Sequence, residues 1–159
     1  MKRITLLLLC LFPLFSTAQA PKKANVIVIK TNDSEDEAFK KMGRILLNEG
    51  FEMETLDKDF YMLVTKIKGC GYGLMKAGTV DIKIKCQIDA KNDQRTIILT
   101  GKMNSPELMT YSPTEFDSKA MVIENIGGKS SIAGASWLIM DEIAKKYEDG
   151  EIEYLIKTK

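Results

Sequence analysis

The apolar positions along this chain keep changing period, and each change marks an element. Ala24 to Thr31 is a β-branched apolar run between polar residues and reads as a strand. Ser34 stands three residues before Glu37 in the pattern of a capping box, with Glu35 and Asp36 where a helix dipole favours negative charge. Behind that cap Phe39, Met42, Ile45 and Leu46 recur at helical spacing, and Gly50-Phe51 supplies a left-handed stop with its hydrophobic contact. The period then falls to two. Phe51, Met53 and Thr55 alternate with Glu52 and Glu54, Leu56 to Asp59 turns, and Tyr61, Leu63, Thr65 and Ile67 return as the second arm of a hairpin. The three glycines of Gly69-Cys70-Gly71-Tyr72-Gly73 predict a bulge, a bend or a flexible loop.

Val80, Ile82, Ile84, Cys86 and Ile88 alternate with Asp81, Lys83, Lys85, Gln87 and Asp89, so one face of this strand is core and the other wet. Ala90 to Asp93 supplies turn chemistry, and Arg95 to Lys102 returns as its antiparallel partner. Pro106 and Pro113 bracket a loop over 104–114, and a weak strand is expected around Met121 to Glu124, before Gly127-Gly128 breaks the chain. A second helix is expected from Ser130 to Asp149, stopped by Gly150, with Ile132, Ala135, Ser136, Ile139, Ile143 and Tyr147 as its stripe and Trp137, Met140 and Ala144 widening it. Glu151 to Lys157 closes as a strand. The expected fold is α+β: an antiparallel sheet of about five to seven strands with two helices packed on one face, in the order β-α-β-β-β-β-α-β.

The segment ahead of this pattern belongs to a different class. Lys2 and Arg3, a short apolar core from Leu6 to Phe15, and the small residues Ser16 to Ala20 have the layout of a secretory signal peptide. The apolar run is broken by Pro13 and falls short of the roughly 20 residues a membrane span needs. Cleavage is expected after Ala18, leaving Gln19 first, because the alternative cut after Ala20 would place Pro21 at the new terminus. Lipidation at Cys10 is disfavoured by the leucine before it. The expected organisation is therefore a signal segment, 1–18, and one domain, 19–159, exported to the periplasm or envelope.

Charge and composition then exclude classes. With 23 Lys+Arg against 22 Asp+Glu, the chain carries +1, and loss of Lys2 and Arg3 moves this to −1, which leaves no electrostatic footprint for nucleic acid. There is no histidine. That removes the commonest general base and zinc ligand, so no metal, cofactor or catalytic triad is expected. Gly127-Gly128-Lys129-Ser130 ends like a phosphate-binding loop, but Ile123 stands where the motif requires glycine. The acidic groups Glu35 to Glu37 and Asp141-Glu142 are explained by a helix start and a polar helix face.

Two candidate sites remain. Cys70 and Cys86 form a candidate disulfide if the intervening hairpin turns near Ala77-Gly78, which would set them opposite one another. Tyr72 and Leu74 in the glycine-rich segment, with Met109 and Tyr111 in the loop, form a candidate apolar partner-binding patch.

The stretch from Val26 to Thr65, with its strand, capped helix, Gly50-Phe51-Glu52-Met53 and hairpin into Leu63-Val64-Thr65, resembles uncharacterised exported proteins of Gram-negative bacteria with a TATA-binding-protein-like fold. It is also similar to the helix-grip modules of an accessory lipoprotein of outer-membrane assembly. The resemblance implies a curved antiparallel sheet gripping helices and an envelope location. The expected function is a non-catalytic binding or assembly module for an unknown envelope protein. The alternative is a carrier of a small apolar ligand held between the sheet and the second helix, where Ala133, Gly134, Ala135 and Ser136 would leave room.

Overall fold

The first apolar run forms β1 (Val26–Thr31), and the capping box behind it starts α1 (Glu35–Asn48). The Ser34 hydroxyl accepts from the Glu37 N–H while the Glu37 carboxylate accepts from the Ser34 N–H, which satisfies donors that a helix start leaves open. At the other end Gly50 takes φ +75°, the Phe51 N–H reaches the Leu46 carbonyl and the Gly50 N–H the Leu47 carbonyl. This is a Schellman stop, and it drops Phe51 into the core. The computed structural model describes residues 20–72, 78–91, 94–104, 116–117, 119–128 and 130–158. Residues 1–18, expected from the sequence to be a signal segment, lie outside the described residues.

Six further strands precede the second helix: β2 (Met53–Asp57), β3 (Met62–Thr65), β4 (Lys68–Tyr72), β5 (Gly78–Lys91), β6 (Gln94–Asn104) and β7 (Met121–Val122). They are followed by α2 (Ile132–Lys145) and β8 (Glu151–Leu155). All eight strands form one antiparallel sheet, ordered β2-β3-β5-β6-β1-β8, with β4 paired to β5 and β7 to β6. The fold is α+β as expected, with eight strands rather than five to seven. The difference lies partly in the glycine-rich segment, which is not a loop: Lys68 to Tyr72 pairs along Gly78 to Ile82, with Gly69 and Gly71 exposed and Cys70 turned inward. At the bend between β3 and β4 the buried Thr65 hydroxyl accepts from the Ile84 N–H at 2.9 Å, standing in for a missing strand acceptor.

Both helices lie on the face presented by Ile27, Ile29, Ile82, Ile84, Cys86, Ile97 and Leu99, all buried in one core with Met42, Leu46, Trp137 and Met140. α2 ends four residues before the expected Asp149. Lys146 caps it, and the chain turns so that buried Tyr147 reaches back to Asp33. The small residues of α2 are packed closely on their neighbours. Gly134 packs directly on the backbone at Gly128, where an added Cβ would overlap the carbonyl oxygen, and Ala135 and Ser136 are buried beside it. Among the described residues, no helix is long and apolar enough to cross a membrane.

Candidate functional site

On the face of the sheet opposite α1 and α2, the strand register sets side chains in rows. One row runs Val64, Lys85, Thr100, from β3 through β5 to β6. Because Ile27 is level with Leu99, Val26 of β1 continues that row, followed by Leu155 of β8. The neighbouring row sets Lys83 against Lys102. Above these rows is a cleft of about 810 Å³, bounded further by Val122, Glu124 and the tail residues Ile156 and Lys157. Asn25 pins that tail: its side-chain amide donates to the Lys157 carbonyl at 2.9 Å and accepts from the Lys157 N–H at 2.8 Å.

Two lysines directly opposite one another on adjacent strands repel. Asp117 resolves this. Held beside the fully buried Phe116, its carboxylate reaches Lys83 at 3.0 Å and Lys102 at 3.3 Å, and Lys102 also donates to the Asp117 backbone carbonyl at 2.9 Å. Glu54 closes the other side of Lys83 at 2.9 Å. Lys83 is thus a cation only 7 % exposed but held by two carboxylates. Burial pulls its pKa down, yet the hydrogen bonds it donates to Glu54 and Asp117 outweigh burial and the net shift is upward. Asp117 is moved below the usual carboxylate range, first by the hydrogen bond from Lys83 and then, against the cost of burial, by Lys102. A carboxylate held ionised in this way is a poor proton donor at neutral pH. Lys85, Lys23 and Lys157 make no side-chain ion pair or hydrogen bond among the described residues.

A second, larger cleft of about 1290 Å³ follows the free edge of β8, with Trp137, Asp141, Lys145 and Tyr154 along it. Its polar groups are engaged with one another: Tyr154 donates to Asp141 at 2.7 Å, Lys145 meets the other carboxylate oxygen at 2.5 Å, and the Tyr154 ring packs on Trp137 at 5.9 Å between centroids. This network locks α2 to β8.

The candidate disulfide is corrected by the strand register. Cys70 lies opposite Val80, whereas Cys86 lies between Leu63 and Leu99. The hairpin closes between Tyr72 and Gly78, ahead of the expected Ala77-Gly78 turn, so six residues of β5 separate the two levels, about 20 Å. Both thiols are free and buried, and burial raises both pKa values, which leaves them protonated and weakly nucleophilic at neutral pH. Of the candidate apolar patch, Tyr72 is half-buried against the core and covers Gly78. Leu74, Met109 and Tyr111 lie outside the described residues. Among the described residues no three His, Cys, Asp or Glu side chains are grouped to hold a metal ion.

The pattern Lys83-x-Lys85 was visible in the sequence as the wet side of a strand. Its meeting with Lys102 and Asp117 was not, because no local period encodes which residues a hairpin sets opposite one another. Compared with known proteins, the chain matches no protein-family model and no curated protein.

Proposed function

We propose that this protein is an exported, non-catalytic binding module of the periplasm or cell envelope, and that it binds through the face of its sheet opposite α1 and α2. The observation that carries the reading is the 810 Å³ cleft, where unpaired lysines border an apolar floor. A wet sheet face normally spreads its charge. Here charge and apolar surface are gathered around one concavity of a size typical for binding sites. Trp137, Met140 and Ile143 of α2 are packed among core residues, which favours the opposite face of the sheet as the place for a ligand. Binding rather than catalysis is favoured by the chemistry present, since Asp117 and Glu54 are both tied to Lys83. Export rests on the charged, apolar and small-residue zones of 1–18.

Two measurements test this. Hydrogen exchange on the mature chain, with and without an envelope extract, is expected to show protection concentrated in Lys83–Gln87, Ile98–Lys102 and Val26. Protection confined to α1 or the β2–β3 hairpin, or none, would overturn the binding face. Mass spectrometry of tagged protein from fractionated cells is expected to find Gln19 first in the envelope or periplasmic fraction. An intact Met1 in the cytoplasmic fraction would remove the export half.

A further inference from the structure

Resting on that reading of the sheet face opposite α1 and α2, we propose that the cleft takes a monomeric anionic amphiphile, a carboxylate on a hydrocarbon chain, with its head at Lys85 and Thr100 and its tail past Val26 along Val122 and Ile156. The argument starts from charge. Five lysines and two carboxylates, Asp117 and Glu124, border the cleft of a chain whose overall charge is +1. Asp117 is spent on Lys83 and Lys102, and that pairing already demonstrates in this cleft how a carboxylate settles between lysines of adjacent strands.

Lys85 repeats the situation one level along, without a carboxylate. Its cross-strand neighbours are Val64 and Thr100, neither of which neutralises an ammonium. The Thr100 hydroxyl directly opposite supplies a donor, so a carboxylate here gains one charge-assisted and one neutral hydrogen bond. Next along the row comes Val26, and the cleft wall beyond is Val122 and Ile156. Val26 is itself buried, so the apolar surface open to water is that of Val122 and Ile156; a purely ionic ligand would leave it wet, and a neutral apolar one would desolvate Lys85 without a partner. One molecule carrying both parts satisfies both. The volume of 810 Å³ falls in the range of roughly 300–1,000 Å³ that encloses single small molecules.

The test is calorimetric titration of the mature chain with submicellar dodecanoate, alongside acetate, dodecyltrimethylammonium, an acidic peptide and vesicles of anionic lipid. Dodecanoate is expected to saturate at one per chain, with acetate and the cationic analogue at least about tenfold weaker. Exposed Lys85 tolerates substitution, so Lys85→Gln is expected to keep the fold and weaken dodecanoate about tenfold, while Lys58→Gln at a distant loop leaves it unchanged. Absence of saturable dodecanoate binding, equal affinity for the cationic analogue, or indifference to Lys85→Gln would overturn the proposal. Preference for the acidic peptide or for vesicles would replace its ligand by another. If dodecanoate fails while envelope extract still protects β5 and β6 from exchange, the ligand class is wrong and the binding face stands.

Discussion

At Thr65 a hydroxyl takes the place of a backbone acceptor. The chain between β3 and β4 bends there, and the Ile84 N–H would be buried and unpaired without Thr65 Oγ1. Thr65→Val keeps the shape and removes the acceptor, so it is expected to cost about 1–3 kcal/mol, with Thr65→Ser recovering most of it. Urea unfolding decides this, and equal stability of the Val and Ser variants would mean that the hydroxyl is idle. Cys70 and Cys86 allow a second test at the same scale. Because Cys86 sits between Leu63 and Leu99 and Cys70 opposite Val80, alkylation without reductant is expected to be slow in the native protein and to label both residues once it is unfolded. Labelling that appears only after reduction would restore the disulfide and refute the register.

Elements that announce themselves by period were legible, and those made by pairing were not. β1, β5, β6 and the capped start of α1 follow directly from alternation or from Ser34 and Glu37, since their sequence and their partners ask for the same conformation. β4 was hidden because Gly69 and Gly71 disfavour strand locally, and only the unpaired length of β5 beyond Thr65 makes a strand there worth its entropy. In α2 the burial centre lies on Trp137, Met140 and Ala144, with Ile132 and Ile139 at the margin, and the helix packs over β6, β5 and β1. Trp137→Ala is therefore expected to lose about 3–5 kcal/mol, and Gly134→Ala, which must push the Gly128 carbonyl away, about 1–3 kcal/mol. Thermal unfolding of the two variants checks this. A loss below about 1 kcal/mol for Trp137→Ala would show that the helix is seated elsewhere. The lysine cleft escaped sequence reasoning for the same reason as β4: Lys83, Lys102 and Asp117 come from three separate segments and meet only through register.

Across the whole molecule α1 and α2 are joined beyond their shared core by a polar cluster where β1 ends, besides the ion pair between their caps, Glu49 and Lys146. Tyr147, just past α2, donates its hydroxyl to Asp33, just before α1, and Lys41 of α1 lies 4.4 Å from the centre of the Tyr147 ring while meeting Asp149 at 2.5 Å and Asp33 at 3.5 Å. The hydrogen bond from Tyr147 holds Asp33 below the ordinary carboxylate range, assisted by Lys41 and opposed by burial. A carboxylate lowered in the folded state stabilises the protein above its unfolded pKa, near 3.9, and loses that contribution as pH falls through its folded value. Tyr147→Phe keeps the buried ring and deletes only the donor. At neutral pH the variant is expected to be less stable by about 2 kcal/mol, the scale of a hydrogen bond to a charged group. The deficit is expected to shrink once the medium is acidic enough to protonate Asp33 in the wild type as well. The chain has a single tryptophan, the buried Trp137, so its fluorescence follows unfolding in urea at each pH without added labels. A deficit that stays constant from neutral to strongly acidic pH would show that Tyr147 acts through packing alone and that the two helices are not joined through Asp33.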